Sequence, residues 1–213
     1  MKRITAMVSL LISVMTFSTQ AALTDEDISI YNQAAAGNED LVEPAYDRFE
    51  SLIQADGARP LTLVYLGSAE TLKGRDAMMP WTAMKYVEQG LAKIGKGLNL
   101  LATESAPIAE QPIVSGLPES YLTRALAAAT YSQLPDMFNH FERGYDLYLA
   151  LLSEPTFQEQ PYEATVWIYG YAVQAALRAD DLAQANQWLA VMLKQDKTHP
   201  ESLNAQSLIT ASN

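Results

Sequence analysis

A three-residue pattern recurs four times along the chain: a small residue, a large apolar or aromatic one four positions later, and an apolar or small one three beyond that. The copies are Ala45-Phe49-Leu52, Gly90-Ile94-Gly97, Gly144-Tyr148-Leu151 and Ala185-Leu189-Met192. Steps of four and three put all three residues on one face of an α-helix. The small residue admits a neighbouring helix, and the other two fill the space beside that contact. Each copy ends a predicted helical hairpin, so the chain is expected to be all-α, with little support for strands.

Local signals agree. Helical periodicity covers residues 24–36, 40–55, 60–73, 82–102, 118–132, 135–153, 162–179, 181–196 and 199–210. Asp40 with Glu43, and Thr198 with Glu201, read as capping boxes, and Pro44, Pro135 and Pro161 fall at or near helix starts, where a missing N–H is tolerated. From Thr82 onward, Met84, Val87, Leu91, Ile94, Leu98 and Leu101 form a core-facing seam, with Ala83, Gly90 and Gly97 as a small-residue stripe beside it. A helical glycine costs about 1 kcal/mol against alanine, so the stripe has a packing reason.

The last hairpin carries Tyr169, Ala172, Val173 and Ala176 on its first helix, a turn at Asp180-Asp181, then Ala185, Leu189, Met192 and, after Lys197, Pro200. An earlier one offers Leu63, Leu66 and Gly67 before its turn. In these features the chain resembles the tetratricopeptide repeat (TPR) superfamily, whose unit is two antiparallel helices with small residues at their contact and a proline soon after the second. It departs from that pattern in copies spaced more widely than the roughly 34 residues of the repeat. The segments from Arg75 to Trp81 and from Thr103 to Leu117 look inserted. The resemblance implies a TPR-like solenoid of about four hairpins with a C-terminal capping helix.

Ahead of the hairpins, Lys2 and Arg3, an apolar stretch from Ile4 to Phe17 and Thr19-Gln20-Ala21 have the form of a secretory leader. Residues 1–21 are expected to be a signal peptide cleaved after Ala21, leaving 22–213 as one helical domain in a bacterial periplasm or secreted. No second apolar run is long enough for a membrane span, so stable insertion after cleavage is not expected. The chain has no cysteine, and packing alone must hold it. Removing Lys2 and Arg3 from 14 basic residues against 25 acidic ones takes the formal net charge from −11 to −13. That balance disfavours nucleic acid and anionic surfaces as partners.

Motifs for catalysis are sparse. Gly90-Leu91-Ala92-Lys93-Ile94-Gly95-Lys96 has the spacing of a Walker A loop, but Gly97 stands where Ser or Thr must bind magnesium, and the residues continue a helical period. His140 and His199 are the only histidines, neither in H-E-x-x-H, and no G-x-S-x-G or S-x-x-K occurs. No metal or other cofactor is expected. A lone catalytic Glu on a helical scaffold, as lytic transglycosylases use, stays open as a carbohydrate-active alternative.

Two surfaces are candidates for binding. Trp167, Tyr171, Gln174 and Arg178 lie at steps of four, three and four on a first helix, the kind that lines the groove of TPR proteins, and could grip a protein or peptide partner or a glycan, although a Trp and Tyr at helical spacing more often pack against the adjoining hairpin. The second is a basic face, Lys85, Lys93 and Lys96, opposite an acidic first unit; an ordinary solvated helix face on each, or attraction between the two units, is the plainer explanation of that asymmetry. The resemblance implies a non-catalytic adaptor or assembly factor of the bacterial cell envelope. The alternative is a peptidoglycan- or carbohydrate-binding, or carbohydrate-active, envelope protein.

Overall fold

The computed structural model describes residues 22–212, and the expected leader lies outside them. Ten α-helices are formed among the described residues: α1 (Asp25–Ala35), α2 (Val42–Asp56), α3 (Pro60–Arg75), α4 (Pro80–Glu104), α5 (Glu119–Gln133), α6 (Phe141–Ser153), α7 (Pro155–Gln158), α8 (Tyr162–Arg178), α9 (Leu182–Gln195) and α10 (Pro200–Ala211). Between α4 and α5 a two-residue ladder, β1 (Ile113–Val114), pairs antiparallel with β2 (Leu117–Pro118). Helices pack in consecutive pairs, α1 on α2, α3 on α4, α5 on α6 and α8 on α9. The first helices also meet in chain order, α1 with α3, α3 with α5, α5 with α8, and α8 with the terminal α10.

All twelve residues of the four triplets are buried, and every triplet lies on the second helix of its pair. The tightest contact is α3 against α4, where glycines from both helices sit at the crossing. A Cβ on Gly74 would stand 2.6 Å from Val87 Cγ2, one on Gly67 2.5 Å from the Gly90 carbonyl oxygen, and one on Gly97 2.8 Å from the Pro60 carbonyl oxygen. Gly144 does the same for α6 on α5, with Ser132 N 2.7 Å from its missing Cβ. Only a bare backbone fits at such separations. Around these contacts one continuous apolar cluster extends from Ile28 to Ile209, with Tyr31, Phe49 and Tyr65 in mutual edge and stacked contact at its α1–α3 end.

Four local expectations change. Helix α2 follows a short 3₁₀ turn at Glu39–Leu41 and has no side-chain cap, so Asp40 and Glu43 form no capping box. Nor do Thr198 and Glu201: Thr198 donates to Asp196 Oδ1, and His199 Nδ1 accepts the Glu201 N–H at 3.1 Å. The capping box is instead at Thr24, whose hydroxyl accepts from Asp27 N while the Asp27 carboxylate accepts from Thr24 N. Residues 135–153 are not one helix, because a 3₁₀ turn at Asp136–Phe138 ends in left-handed Asn139 before α6 begins. Met84 is exposed, since α4 turns Ala83 and Val87 toward Gly74 of α3 and leaves Met84 beside that line. Met78, Met79 and Trp81 stand exposed with it at the start of α4.

The turn at Asp180-Asp181 forms as expected. Asp180 adopts φ +56°, and Asp181 caps α9 by accepting the Gln184 N–H at 3.0 Å. The same carboxylate accepts the Tyr145 hydroxyl at 2.9 Å, which ties α6 to the α8–α9 turn. Among the described residues no helix is long and apolar enough to cross a membrane.

Candidate functional site

On α8, the four aligned residues divide by environment. Trp167 is half-buried against the core and meets Tyr171 edge-on with ring centroids 6.2 Å apart. Tyr171 is 38% exposed. Gln174 is half-buried. Arg178 reaches the preceding first helix: its guanidinium donates to the Ser132 carbonyl at 2.6 Å and to the Leu134 carbonyl at 3.2 Å, pairs with Asp136, and lies 4.4 Å over the Phe141 ring. These are the free carbonyls at the end of α5, which need donors from outside the helix.

Arg75 makes the equivalent contact two pairs earlier. As the last residue of α3 it donates to Ala34 O at 3.2 Å and Ala35 O at 3.3 Å, at the end of α1, and pairs with Asp76. An arginine ending one first helix therefore holds the end of the first helix before it, twice in the chain. Nothing in the helical spacing of Arg178 distinguishes this role from a partner contact. Tyr171 is the exposed aromatic of that face, Trp167 and Gln174 are half-buried beside it, and Arg178 is exposed although its guanidinium is bonded to the end of α5.

The basic residues of the second pair are mostly engaged. Lys93 pairs with Glu70, a carboxylate only 3% exposed, and Lys73 pairs with Glu43 at 2.9 Å and lies 4.1 Å over the Tyr46 ring. Burial, and then the surrounding Glu70, Glu50 and Glu43, push Tyr46 up to about 12. Lys85 and Lys96 are exposed and pair with no carboxylate among the described residues. The Walker-like run lies mid-helix in α4, with Gly90 and Gly97 at the α3 contact.

A third region was not legible in the sequence. Where α4, α5 and α6 meet under the segment 105–111, a cleft of about 710 Å³ is walled by Leu98, Leu101, Ile108 and Leu147, with Ser120, Arg124 and Arg143 at its polar side. Arg124 is engaged by Glu154, to which it donates from Nη1 and Nη2, and it lies 5.3 Å over the Tyr121 ring. Arg143 lies 5.0 Å over the Tyr131 ring, whose neighbour His140 stacks at 5.0 Å. Burial, and then the Arg143 guanidinium, hold His140 below the usual imidazole range. The available sequence signal was Ser120 with Arg124, and Arg143 with Leu147, each at a four-residue step. That spacing does not show which two helices face each other.

Set beside known proteins, the chain matches no family model, no curated protein and no solved structure.

Proposed function

We propose that this is an exported, non-catalytic adaptor or assembly factor of the bacterial cell envelope, a TPR-like solenoid that binds a protein or peptide partner along its first helices. One observation supports the reading most directly: α1, α3, α5, α8 and α10 contact one another in chain order while their partners pack behind them. Hairpins stacked this way present an elongated surface on which several weak contacts add up without a reactive centre. The step from that architecture to binding is an analogy of fold. Tyr171 and Trp167 supply the aromatic part of the surface, Gln174 an amide beside it, and Arg178 holds the neighbouring helix end so that the face keeps its shape.

The test is a photocrosslinking residue placed at position 171 in the native cell, with one at Val191, exposed on α9, as control. A discrete polypeptide crosslinked from 171 and not from 191, and lost when Trp167 is changed to Ala, is the expected result. Equal products from both positions would overturn the assignment of the face. The Trp167–Tyr171 pair is also a surface on which a sugar ring stacks. Binding of peptidoglycan fragments, with no crosslinked polypeptide, would assign the carbohydrate-binding alternative.

A further inference from the structure

The cleft at the junction of α4, α5 and α6 holds a cation without a counter-charge and a buried hydroxyl without a partner. We infer that it binds a small aliphatic monocarboxylate, the chain between Leu98, Leu101, Ile108 and Leu147 and the carboxylate on Arg143. This site shares no lining residue with the α8 face and stands independently of the function proposed for that face.

Its size comes first. At about 710 Å³ the cleft lies inside the range of small-molecule sites, which are mostly apolar with a few placed polar groups. Its charge follows from a difference between the two arginines. Arg124 is neutralised by Glu154, whereas no carboxylate among the described residues pairs with Arg143. Arg143, an exposed residue at the edge of the cleft, is thus the one lining cation without a carboxylate partner, which fits a monoanion, and its planar guanidinium fork matches the two oxygens of a carboxylate. Lys96, also without an acidic partner, lines the adjoining hollow with His140, Arg143 and one carboxylate, Glu88. In a chain of net charge −11 an anion is repelled at long range, so such a site needs local cations of this kind.

Ser120 supplies the second observation. It is only 5% exposed, its N–H donates to Gln111 Oε1 at 2.9 Å, and its hydroxyl has no hydrogen-bond partner. That hydroxyl is closed off in its present rotamer; turning Ser120 about χ1 at the cleft wall would bring it onto a ligand oxygen and remove the desolvation cost it carries unpaired. The lining also argues against an extended peptide. Gln111 is committed at both ends of its amide, donating to Ala106 O at 2.7 Å as well as accepting from Ser120, and Pro107 has no N–H. Aliphatic walls leave few groups to satisfy the amides of a polypeptide, and an alkyl chain has none to satisfy.

Isothermal titration calorimetry of the purified protein with octanoate, octanol and octylamine tests this. Saturable binding of octanoate, at least tenfold tighter than octanol and absent for octylamine, is expected. Arg143→Gln should weaken octanoate at least tenfold while leaving octanol unchanged, and Arg143→Lys should recover part of the loss. Ala102→Trp, which fills the cleft from its exposed wall, should abolish binding with an unchanged melting curve; it decides the matter if Arg143→Gln does not fold. Octanoate binding no tighter than octanol, or unaffected by both Arg143→Gln and Ala102→Trp, would overturn the assignment.

Discussion

Gly67 and Gly90 face each other across the α3–α4 contact, each occupying with its carbonyl oxygen the place where the other's Cβ would stand. The two backbones are therefore in direct contact, and neither position has room for a side chain.

Gly90→Ala is expected to destabilise by about 1–3 kcal/mol through overpacking, even though alanine is the better helix former, and Gly90→Leu by more. Gly95, five residues on, is the internal control. Its Cβ would meet only Arg143 Nη1 at 3.9 Å, so Gly95→Ala should stabilise by about 0.5–1 kcal/mol. Thermal melting of the three variants measures this. Equal effects at 90 and 95 would mean that α3 and α4 do not meet along the glycine line.

Arg178→Ala should lower stability by about 1–2 kcal/mol, because the Ser132 and Leu134 carbonyls at the end of α5 lose their donor. Arg178→Lys should restore only part of that, since one ammonium cannot serve both carbonyls and Asp136 in a fixed fork. Hydrogen exchange localises the effect: protection should fall at the last turn of α5 first. An unchanged melt for Arg178→Ala would return that side chain to the face proposed to bind a partner.

Lys93 and Lys96 look alike in sequence and are expected to behave differently. Lys93→Ala leaves the buried Glu70 carboxylate unpaired and should cost about 3 kcal/mol, whereas exposed Lys96→Ala should stay within about 0.5 kcal/mol. A double-mutant cycle with Glu70→Gln checks the cause, because the loss at Lys93 should shrink once the charge it serves is gone.

Acid sensitivity should be traceable to Asp27. Burial by itself raises this carboxyl, but hydrogen bonds from Arg48, with Nε 2.7 Å from Oδ1, and from Thr24 outweigh it and leave the group below its ordinary value. A carboxyl depressed in the folded state contributes stability that is fully present above its unfolded value, about 3.9, and is lost as pH falls through the folded one. The stability difference between the wild type and Asp27→Asn should thus be constant from pH 7 to about 5 and narrow below about pH 4. A difference independent of pH across that range would show that the ion pair with Arg48 is not what Asp27 contributes.

Helix positions and the buried face of each second helix were readable directly, because periodicity and residue size act locally. Ala45, Gly90, Gly144 and Ala185 announce where a neighbour approaches, and each is buried at a helix contact. What the spacing could not convey is the identity of that neighbour. Arg178 aligns with Tyr171 on α8, yet its destination is the end of α5, against which α8 packs. Lys93 sits in a run of lysines, and only the crossing of α3 and α4 turns it onto Glu70. Arg143 and Ser120 come together at one cleft because α6 lies beside both α4 and α5 under the segment 105–111. The apolar and small-residue pattern by itself determined that the chain forms paired helices, since burying a periodic face is a local demand repeated along the sequence. Which charges are neutralised, which helix ends are capped and where a cleft is left open were decided by tertiary packing, because each depends on distances between residues 23 to 46 positions apart.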